Sequence, residues 1–532
     1  MSENKEIKKL LVEDEEEDNS NKKRFTPQQL LTTMCSQYIS SLHKTLDNKY
    51  ETPELEVKFG TKGYKQLTKM DYDNVIKKLI SEGYKCDNTS GLYSLRIFPE
   101  LLDSRTGEVK MSNMRVEIDG LNAVQEYCRT NNIIKIAENP NLQLSLLEKR
   151  SIKIEGSKQF LKPVEFKDFN MRVSLVSEYK GSVHGKSAME LYDNWSKSKK
   201  MFRFINRVTY YKPGGLFKID LSIVRTSTKK DKQIIKTYNI ADSNVFENPE
   251  IFEMEIEAVN DAVKIKYSNI ETSGAELAKD ILGVSKVILC GLQKTNYPVT
   301  YSEQYAILQD YMKLLYKEEY NPEKRVYPSN FIGPSSKTLQ IKNIVNISEN
   351  SNIPNIRKDF CVTDKADGDR HLLYINNVGR IYLINTNMEV IFTGAKTEEQ
   401  QCFNSLIDGE LILHDKLSQY INTFAAFDIY YIKGEDVRAL GFMPTERTDD
   451  YTNFRLPLLK QFVTGLKPIG ISNTYSSKKS SPITIETKKF YPFYNIQEAK
   501  AANAKPDMNI FDACNYILSN INDGLYKYTP MV

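Results

Sequence analysis

The sequence predicts an α+β chain in which an antiparallel β-barrel or sandwich is followed by a mixed α/β domain. Short alternating segments recur through residues 54–258 with few long helices between them, a Pro- and Gly-rich stretch follows, and a second mixed region begins near residue 337. A chain of 532 residues is also too long for one hydrophobic core and calls for two domains or three.

Residues 1–24 contain the unbroken acidic run Glu13 to Asp18 and then Lys22-Lys23-Arg24, and read as a disordered tail. Residues 27–48 space Leu30, Leu31, Met34, Tyr38 and Leu42 as one face of a helix. Period-two alternation then marks strands at 54–59, 92–98, 112–118, 143–154, 170–178, 201–211, 216–225 and 251–258. Helical pieces fall near 71–82, 120–131 and 188–197, and 273–318 reads as helix broken at Asn296-Tyr297-Pro298. Pro322, Pro328, Gly333 and Pro334 make a linker. The expected division is a tail (1–24), a first domain (25–318), a linker (319–336) and a second domain (337–532).

Composition excludes several kinds of chemistry. Hydrophobic residues are 40% and charged residues 27%, as in ordinary soluble proteins. No apolar run reaches the roughly 18 residues of a membrane span, and the N-terminus is unlike a signal peptide, so no membrane partner is expected. The 7 cysteines are widely spaced, odd in number and without a CxxC pair, which speaks against zinc or disulfides and for a reducing compartment. His43, His184, His371 and His414 never fall at metal-ligand spacing. An enzyme built from this inventory works with Lys, Arg, Asp and Glu. A net charge of +4 confines nucleic-acid contacts to local patches.

Glu54-Leu-Glu-Val-Lys58 alternates strictly, so a strand puts Glu54, Glu56 and Lys58 on one face and Leu55, Val57 and Phe59 on the other. Glu253-Met-Glu-Ile-Glu257 repeats the device. Glutamates about 7 Å apart on one face repel unless a cation lies between them, and oxygen-only ligands suit Mg²⁺ or Mn²⁺. The strands between supply the opposite sign: Arg115, Lys149 with Arg150, Arg172, Arg203 with Arg207, and Lys218 beside Asp220. Amphipathic strands with solvated charges would read the same way one at a time. Together the set describes a tunnel in which cations hold a polyphosphate and a carboxylate-bound metal polarises the phosphate to be lost.

Glu54-Leu-Glu-Val-Lys-Phe-Gly60 resembles the first strand of the triphosphate tunnel metalloenzymes, in particular the RNA triphosphatases of fungal and large-DNA-virus capping enzymes, and Glu253 to Glu257 resembles their closing metal-binding strand. The resemblance implies metal ligation by Glu54, Glu56, Glu253, Glu255 and Glu257. It also implies triphosphate contacts, or organisation of metal and water, by Lys58, Arg115, Lys149, Arg203, Arg207 and Asp220. The family often carries a basic residue two before the Arg207 position, where this chain has Ile205.

In the second region, Thr363-Asp-Lys365-Ala-Asp367-Gly368-Asp-Arg370 reads as strand, tight turn, strand. A lysine attacking an α-phosphate must shed its proton, Gly368 lets the backbone turn close to a nucleotide, Arg370 can hold ribose or phosphate, and Asp367 can orient the lysine. KxDG alone is short. It gains weight from Leu406-Ile-Asp-Gly-Glu410-Leu-Ile412, then Phe424-Ala-Ala-Phe427-Asp428-Ile-Tyr-Tyr431, then Asp523-Gly-Leu525 with Thr529-Pro530, in that order. Glu410 is the candidate ribose or metal contact, Phe427 a candidate base-stacking ring, and Asp428 and Asp523 further nucleotide contacts.

This series is similar to the motifs of the covalent nucleotidyltransferases, capping guanylyltransferases and polynucleotide ligases, and most resembles giant-virus capping enzymes, where a tunnel domain precedes the guanylyltransferase. The resemblance implies γ-phosphate removal from 5′-triphosphate RNA, then GMP transfer from GTP through Lys365. It implies a cap methyltransferase or separate C-terminal domain as partner, and a cytoplasmic viral factory or virion as location. The chain departs from the family after Asp523-Gly524: no further Lys-x-Lys motif or OB domain follows, so the second domain is expected to be incomplete. An ATP-dependent ligase and a catalytically reduced RNA-end-binding scaffold remain as alternatives.

Overall fold

The structure, a computed structural model, describes residues 25–44, 51–60, 66–102, 107–154, 157–231, 233–267, 270–346, 353–357, 359–444, 452–471, 480–492 and 509–522. The expected acidic tail and Asp523 lie outside the described residues. The chain forms two compact units, Met1–Lys294 and Thr295–Val532.

The first unit is built on eight strands: β1 (Glu51–Phe59), β2 (Leu92–Leu102), β3 (Met114–Asp119), β4 (Gln143–Ser151), β5 (Met171–Gly181), β6 (Lys200–Tyr211), β7 (Phe217–Thr226) and β8 (Ile251–Ala258). They pair antiparallel in the ring β1-β8-β7-β6-β2-β3-β4-β5, and β5 returns to β1 from Glu51↔Tyr179 to Phe59↔Met171. The barrel is therefore closed and removes its own edges. Each strand grows from one of the alternating segments in the sequence. The barrel alternative holds and the sandwich does not.

The apolar faces of these strands point outward. Leu55, Val57, Phe59, Val173, Ile219, Leu221, Met254 and Ile256 form a core with residues of helices α1 (Pro27–Lys44), α2 (Lys69–Ser81) and α4 (Ile270–Gln293). A second core joins Leu95, Ile97, Val116, Ile118 and Phe202 to Val124 and Tyr127 of α3 (Leu121–Thr130). Thr68 and Asp71 close a capping box at the start of α2. A Cβ on Gly291 would lie 2.8 Å from the Val75 Cα, so this glycine lets α4 lie directly on α2. Helices outside supply the hydrophobic burial, and the inside of the barrel is left to charge.

The second unit is a sheet between helices. Strands β9 (Asp369–Ile375), β10 (Arg380–Asn385), β11 (Val390–Lys396), β12 (Ser405–His414) and β13 (Tyr420–Ile432) run in the order β13-β12-β9-β10-β11, all antiparallel. Among the described residues only β14 (Thr484–Thr487) pairs parallel, with β13, so this unit is more antiparallel than the α/β description led us to expect. One sheet face packs Leu372, Tyr374, Tyr382 and Ile384 on α5 (Tyr301–Tyr316), and the other packs Leu373, Ile375 and Leu383 on α6 (Arg455–Leu466).

The division differs from the one read in sequence. Helix α5 belongs to the second unit, because Ile307, Tyr311 and Met312 are buried against its sheet. The expected linker is fastened to it as well: the Tyr311 hydroxyl donates to the Asn330 carbonyl at 2.6 Å and accepts from the Ile332 amide at 3.1 Å. Ile307→Ala is expected to destabilise the second unit by about 2–5 kcal/mol in denaturant unfolding, whereas a substitution in a free linker helix would shift it by less than about 0.5 kcal/mol.

Candidate functional site

The inward faces of the barrel strands meet as a continuous lattice of opposite charges. Lys149 lies between Glu54, at 2.6 Å, and Glu56. Lys58 bridges Glu56 at 3.0 Å and Glu255 at 2.9 Å. Arg207 reaches Asp220 at 2.8 Å, Glu255 at 3.2 Å and the Ser222 hydroxyl at 3.0 Å, and Thr209 donates to Asp220 at 2.7 Å. Lys218 pairs with Glu257 at 3.0 Å. Arg115 meets Glu117 at 3.4 Å and Glu178 at 3.3 Å, with Arg96 also on Glu117.

Strand register decides which predicted ligands converge. Glu56 stands opposite Glu257, and Lys58 opposite Glu255. Glu54, Glu56, Glu255 and Glu257 thus share one wall. Glu253 is four residues from Glu257, about 13 Å along the strand, and its two oxygens are each 2.8 Å from Arg203. Ile205 faces inward opposite Ser94 and Val224 and is fully buried, so Arg203 stands beside that position rather than in it. Arg96 and Glu178 join the lattice without having been singled out in sequence. Each is one charge in its own alternating segment, and only register shows what it faces.

Burial and crowding perturb the glutamates in opposite directions. Burial pushes Glu54 up to about 8, helped by the hydrogen bond and charge of Glu56, against the pull of Lys149. Burial also acts on Glu56, yet the hydrogen bond from Glu54 and the cations Lys58 and Lys149 hold it below the ordinary range. Glu255 is likewise low, because Lys58 and Arg207 overcome its burial, while burial leaves Glu257 raised despite Lys218.

Among the described residues no group of three acidic or other ligating side chains converges as a ready-made metal cage. The donor set nevertheless fits a hard divalent cation. The candidate ligands are all carboxylate oxygens, with Lys58 and Lys149 lying among them, and Glu54 and Glu56 are so close that one keeps a proton, which a cation could replace.

In the second unit Lys365 is exposed on a turn whose backbone is fastened at several points. Ala366 is buried with Ile412 and Ala425, and a Cβ on Gly368 would lie 2.8 Å from the Leu411 carbonyl. Lys488, itself buried, donates to the Asp364 carbonyl at 2.7 Å. The glycine is therefore required by the neighbouring strand β12. Asp367 is exposed beside it. Glu410 lies opposite Arg370 in register, and its Oε2 is buried without a hydrogen-bond partner. Burial raises its pKa, against Lys488 and Lys365 nearby.

Arg370 grips the fully buried Asp408, Nε to Oδ1 at 3.1 Å and Nη2 to Oδ2 at 2.5 Å, and Tyr430 donates to the same carboxylate at 2.6 Å. The guanidinium also lies 5.8 Å from the centre of the Phe427 ring and 5.5 Å from that of Phe331. Phe427 occupies a bulge, since Asp408 faces Asp428 while Gly409 faces Ala426. Asp428 is held by Arg455 at 2.9 and 3.2 Å, so it braces strand β13 against α6. Asp408, Tyr430 and Arg455 escaped the sequence reading. Asp408 sits inside the Asp-Gly-Glu motif, but only register puts it under Arg370.

Residues 324–523 match the family model described as mRNA capping enzyme, catalytic domain. Over 193 residues the chain is 29% identical to a probable mRNA-capping enzyme of Acanthamoeba polyphaga mimivirus, a match covering 36% of this chain and 13% of that protein's length. Two structures of the S. pombe RNA triphosphatase Pct1, one in complex with the Spt5 CTD, align at 12% identity with TM-scores of 0.29 and 0.26, each covering 50% of this chain and 94% of that one. The family match falls within the second unit, on the stretch whose motif order led us to expect it.

Glu54 keeps its proton up to about pH 8 when folded and releases it near 4.5 when unfolded. Stability supplied by this group is complete below the unfolded value and is lost as pH rises through the folded one. Chelator-treated protein is expected to lose unfolding free energy between pH 4.5 and about 8. In Glu54→Gln that slope is expected to flatten in urea titrations at fixed pH.

Proposed function

We propose that the chain acts on RNA 5′ ends in two successive steps of mRNA capping. The observation that carries the reading is Lys365, solvent-facing on a turn pinned by Ala366, Gly368 and Lys488, beside a glutamate with an unpartnered buried oxygen, in a unit that matches the capping catalytic domain.

In the first step water attacks the γ-phosphorus of triphosphate-ended RNA, and inorganic phosphate leaves a diphosphate end. Lys58, Lys149, Arg115 and Arg207 hold phosphate oxygens, and Arg203 reinforces the wall beside them. Asp220 and Thr209 fix the Arg207 fork. Glu54, Glu56, Glu255 and Glu257 would hold Mg²⁺ or Mn²⁺, which when bound neutralises phosphate charge and polarises the γ-phosphate. Glu253 lies outside this set. Lys149, now between Glu54 and Glu56, is the cation that such a metal would displace toward substrate.

In the second step the neutral Lys365 amine attacks the α-phosphorus of GTP. A P–N bond forms, the bond to the β-phosphate oxygen breaks, and pyrophosphate leaves. A terminal phosphate oxygen of the diphosphate RNA then attacks the same phosphorus and releases Lys365. Glu410 accepts from ribose or assists a metal, Arg370 holds ribose or phosphate, and Phe427 offers a face to the base. Asp408, itself held by Tyr430, positions Arg370 together with the Pro334 carbonyl, which accepts from Nη1 at 2.7 Å.

Incubation with α-labelled GTP and Mg²⁺ or Mn²⁺ is expected to leave a labelled band on a denaturing gel that falls to background in Lys365→Ala. Label from ATP instead would transfer the case to polynucleotide ligation. No label from either nucleotide would count against the lysyl step.

A further inference from the structure

A net charge of +4 leaves nucleic-acid contacts to local patches, and the first unit builds one at the barrel end where β6 begins. Two stretches of sequence meet there. Residues 196–200 carry Lys197, Lys199 and Lys200. Residues 228–238 carry Lys229, Lys230, Lys232 and Lys236, with Asp231 as the single acid among them. The fold fastens the two stretches side by side. The Lys200 amide donates to the Thr237 carbonyl at 2.7 Å, and the Thr237 amide donates back to the Lys200 carbonyl at 3.0 Å. The Lys200 side chain, fully buried, donates to the Ser198 carbonyl at 2.6 Å and to the Tyr238 carbonyl at 3.2 Å. Lys229 and Lys230 stand on a short hairpin, opposite Ile234 and Gln233.

This arrangement leaves a cationic and aromatic surface. Lys197, Lys199, Lys229 and Lys230 are exposed. Among the described residues of the two stretches only Lys236 forms an ion pair, with Glu100 at 2.6 Å. The Lys199 ammonium lies 5.6 Å from the centre of the Tyr238 ring, which is 48% exposed. One solvated lysine would mean little. Lysines from two stretches, fastened together against their mutual repulsion, make a surface for an anion, and the ring beside them offers a stacking face. Single strands are held without sequence preference by this combination of phosphate contacts and an aromatic platform. Lys200 is three residues from Arg203, about 10 Å along β6, so the surface lies outside the ion-pair lattice of the barrel. We propose that it binds the sugar-phosphate backbone of single-stranded RNA beyond the 5′ end, with Tyr238 stacked on a base. The assignment rests on the reading that the chain acts on RNA. It adds a hold that does not need the triphosphate, and so retains the diphosphate product of the first step as well as its substrate.

The probe is a single-stranded oligoribonucleotide with a 5′-hydroxyl end, which offers the barrel interior no triphosphate. Its Kd for the full chain is measured as a function of salt. With Lys197→Gln, Lys199→Gln, Lys229→Gln and Lys230→Gln combined, the slope of log Kd against log salt is expected to fall by about 3, at about 0.7 per phosphate contact, and Kd to rise about tenfold or more. Tyr238→Ala is expected to raise Kd about tenfold with the slope unchanged. Phosphate release from inorganic tripolyphosphate is expected to keep its rate in both variants, because neither alters the barrel interior. Unchanged affinity and slope in the fourfold variant overturn the assignment. So does polyglutamate bound through these lysines while RNA binding is unaffected, which would give the surface to an acidic protein. No phosphate release from tripolyphosphate by the unaltered protein counts against the triphosphatase reading alone, and the RNA measurement still decides this one.

Discussion

Charges enclosed in a β-barrel must be paired, because an isolated ion taken out of water costs several kcal/mol. The first unit meets this constraint around its whole circumference: Lys149 with Glu54 and Glu56, Lys58 with Glu56 and Glu255, Arg207 with Asp220 and Glu255, Lys218 with Glu257, Arg96 with Glu117, and Arg115 with Glu117 and Glu178. The pairing does not come free of strain. Glu54 can neighbour Glu56 only by keeping a proton well above its ordinary range. Hydrophobic stabilisation has therefore moved to the outside of the barrel, where Leu55, Val57, Ile219 and Ile256 meet the helices. A barrel arranged only for stability would place these faces the other way round, since well-packed apolar residues usually match or exceed buried ion pairs.

The second unit applies the same constraint on a smaller scale. Asp408 has no exposed surface and is satisfied by Arg370 and Tyr430, so the arginine proposed to hold the nucleotide is also what neutralises a buried carboxylate. Glu410, across the ladder from Arg370, keeps one oxygen unpartnered. This oxygen is one of several buried polar atoms without a partner, and it sits beside the candidate nucleophile. Fixed support surrounds an exposed side chain: Ala366, Gly368 and Lys488 hold the turn, and Lys365 on it is exposed to solvent.

The sequence was most legible where a short period reports a local constraint. Every alternating segment became a barrel strand, because a strand with one apolar and one charged face has few other uses. What faces what was illegible. Glu253 and Glu257 are equivalent in the pattern, yet register puts Glu257 opposite Glu56 and Glu253 on Arg203. The helical pattern of 273–318 did not show on which unit Ile307 and Tyr311 would be buried. Asp428, a lone carboxylate in an apolar strand, read as a nucleotide contact because the Arg455 that holds it lies 27 residues away in sequence.

The central claim is that the barrel interior is a polyphosphate site and not merely a self-satisfied ion-pair lattice. The most direct measurement is γ-phosphate release from triphosphate-ended RNA in a Lys365→Ala background, so that only the barrel contributes, with Glu56→Gln introduced on top. The account predicts release that survives Lys365→Ala and is abolished by Glu56→Gln while the circular dichroism spectrum stays unchanged. Release that persists in a folded Glu56→Gln protein, or none from the barrel with Glu56 intact, would contradict it.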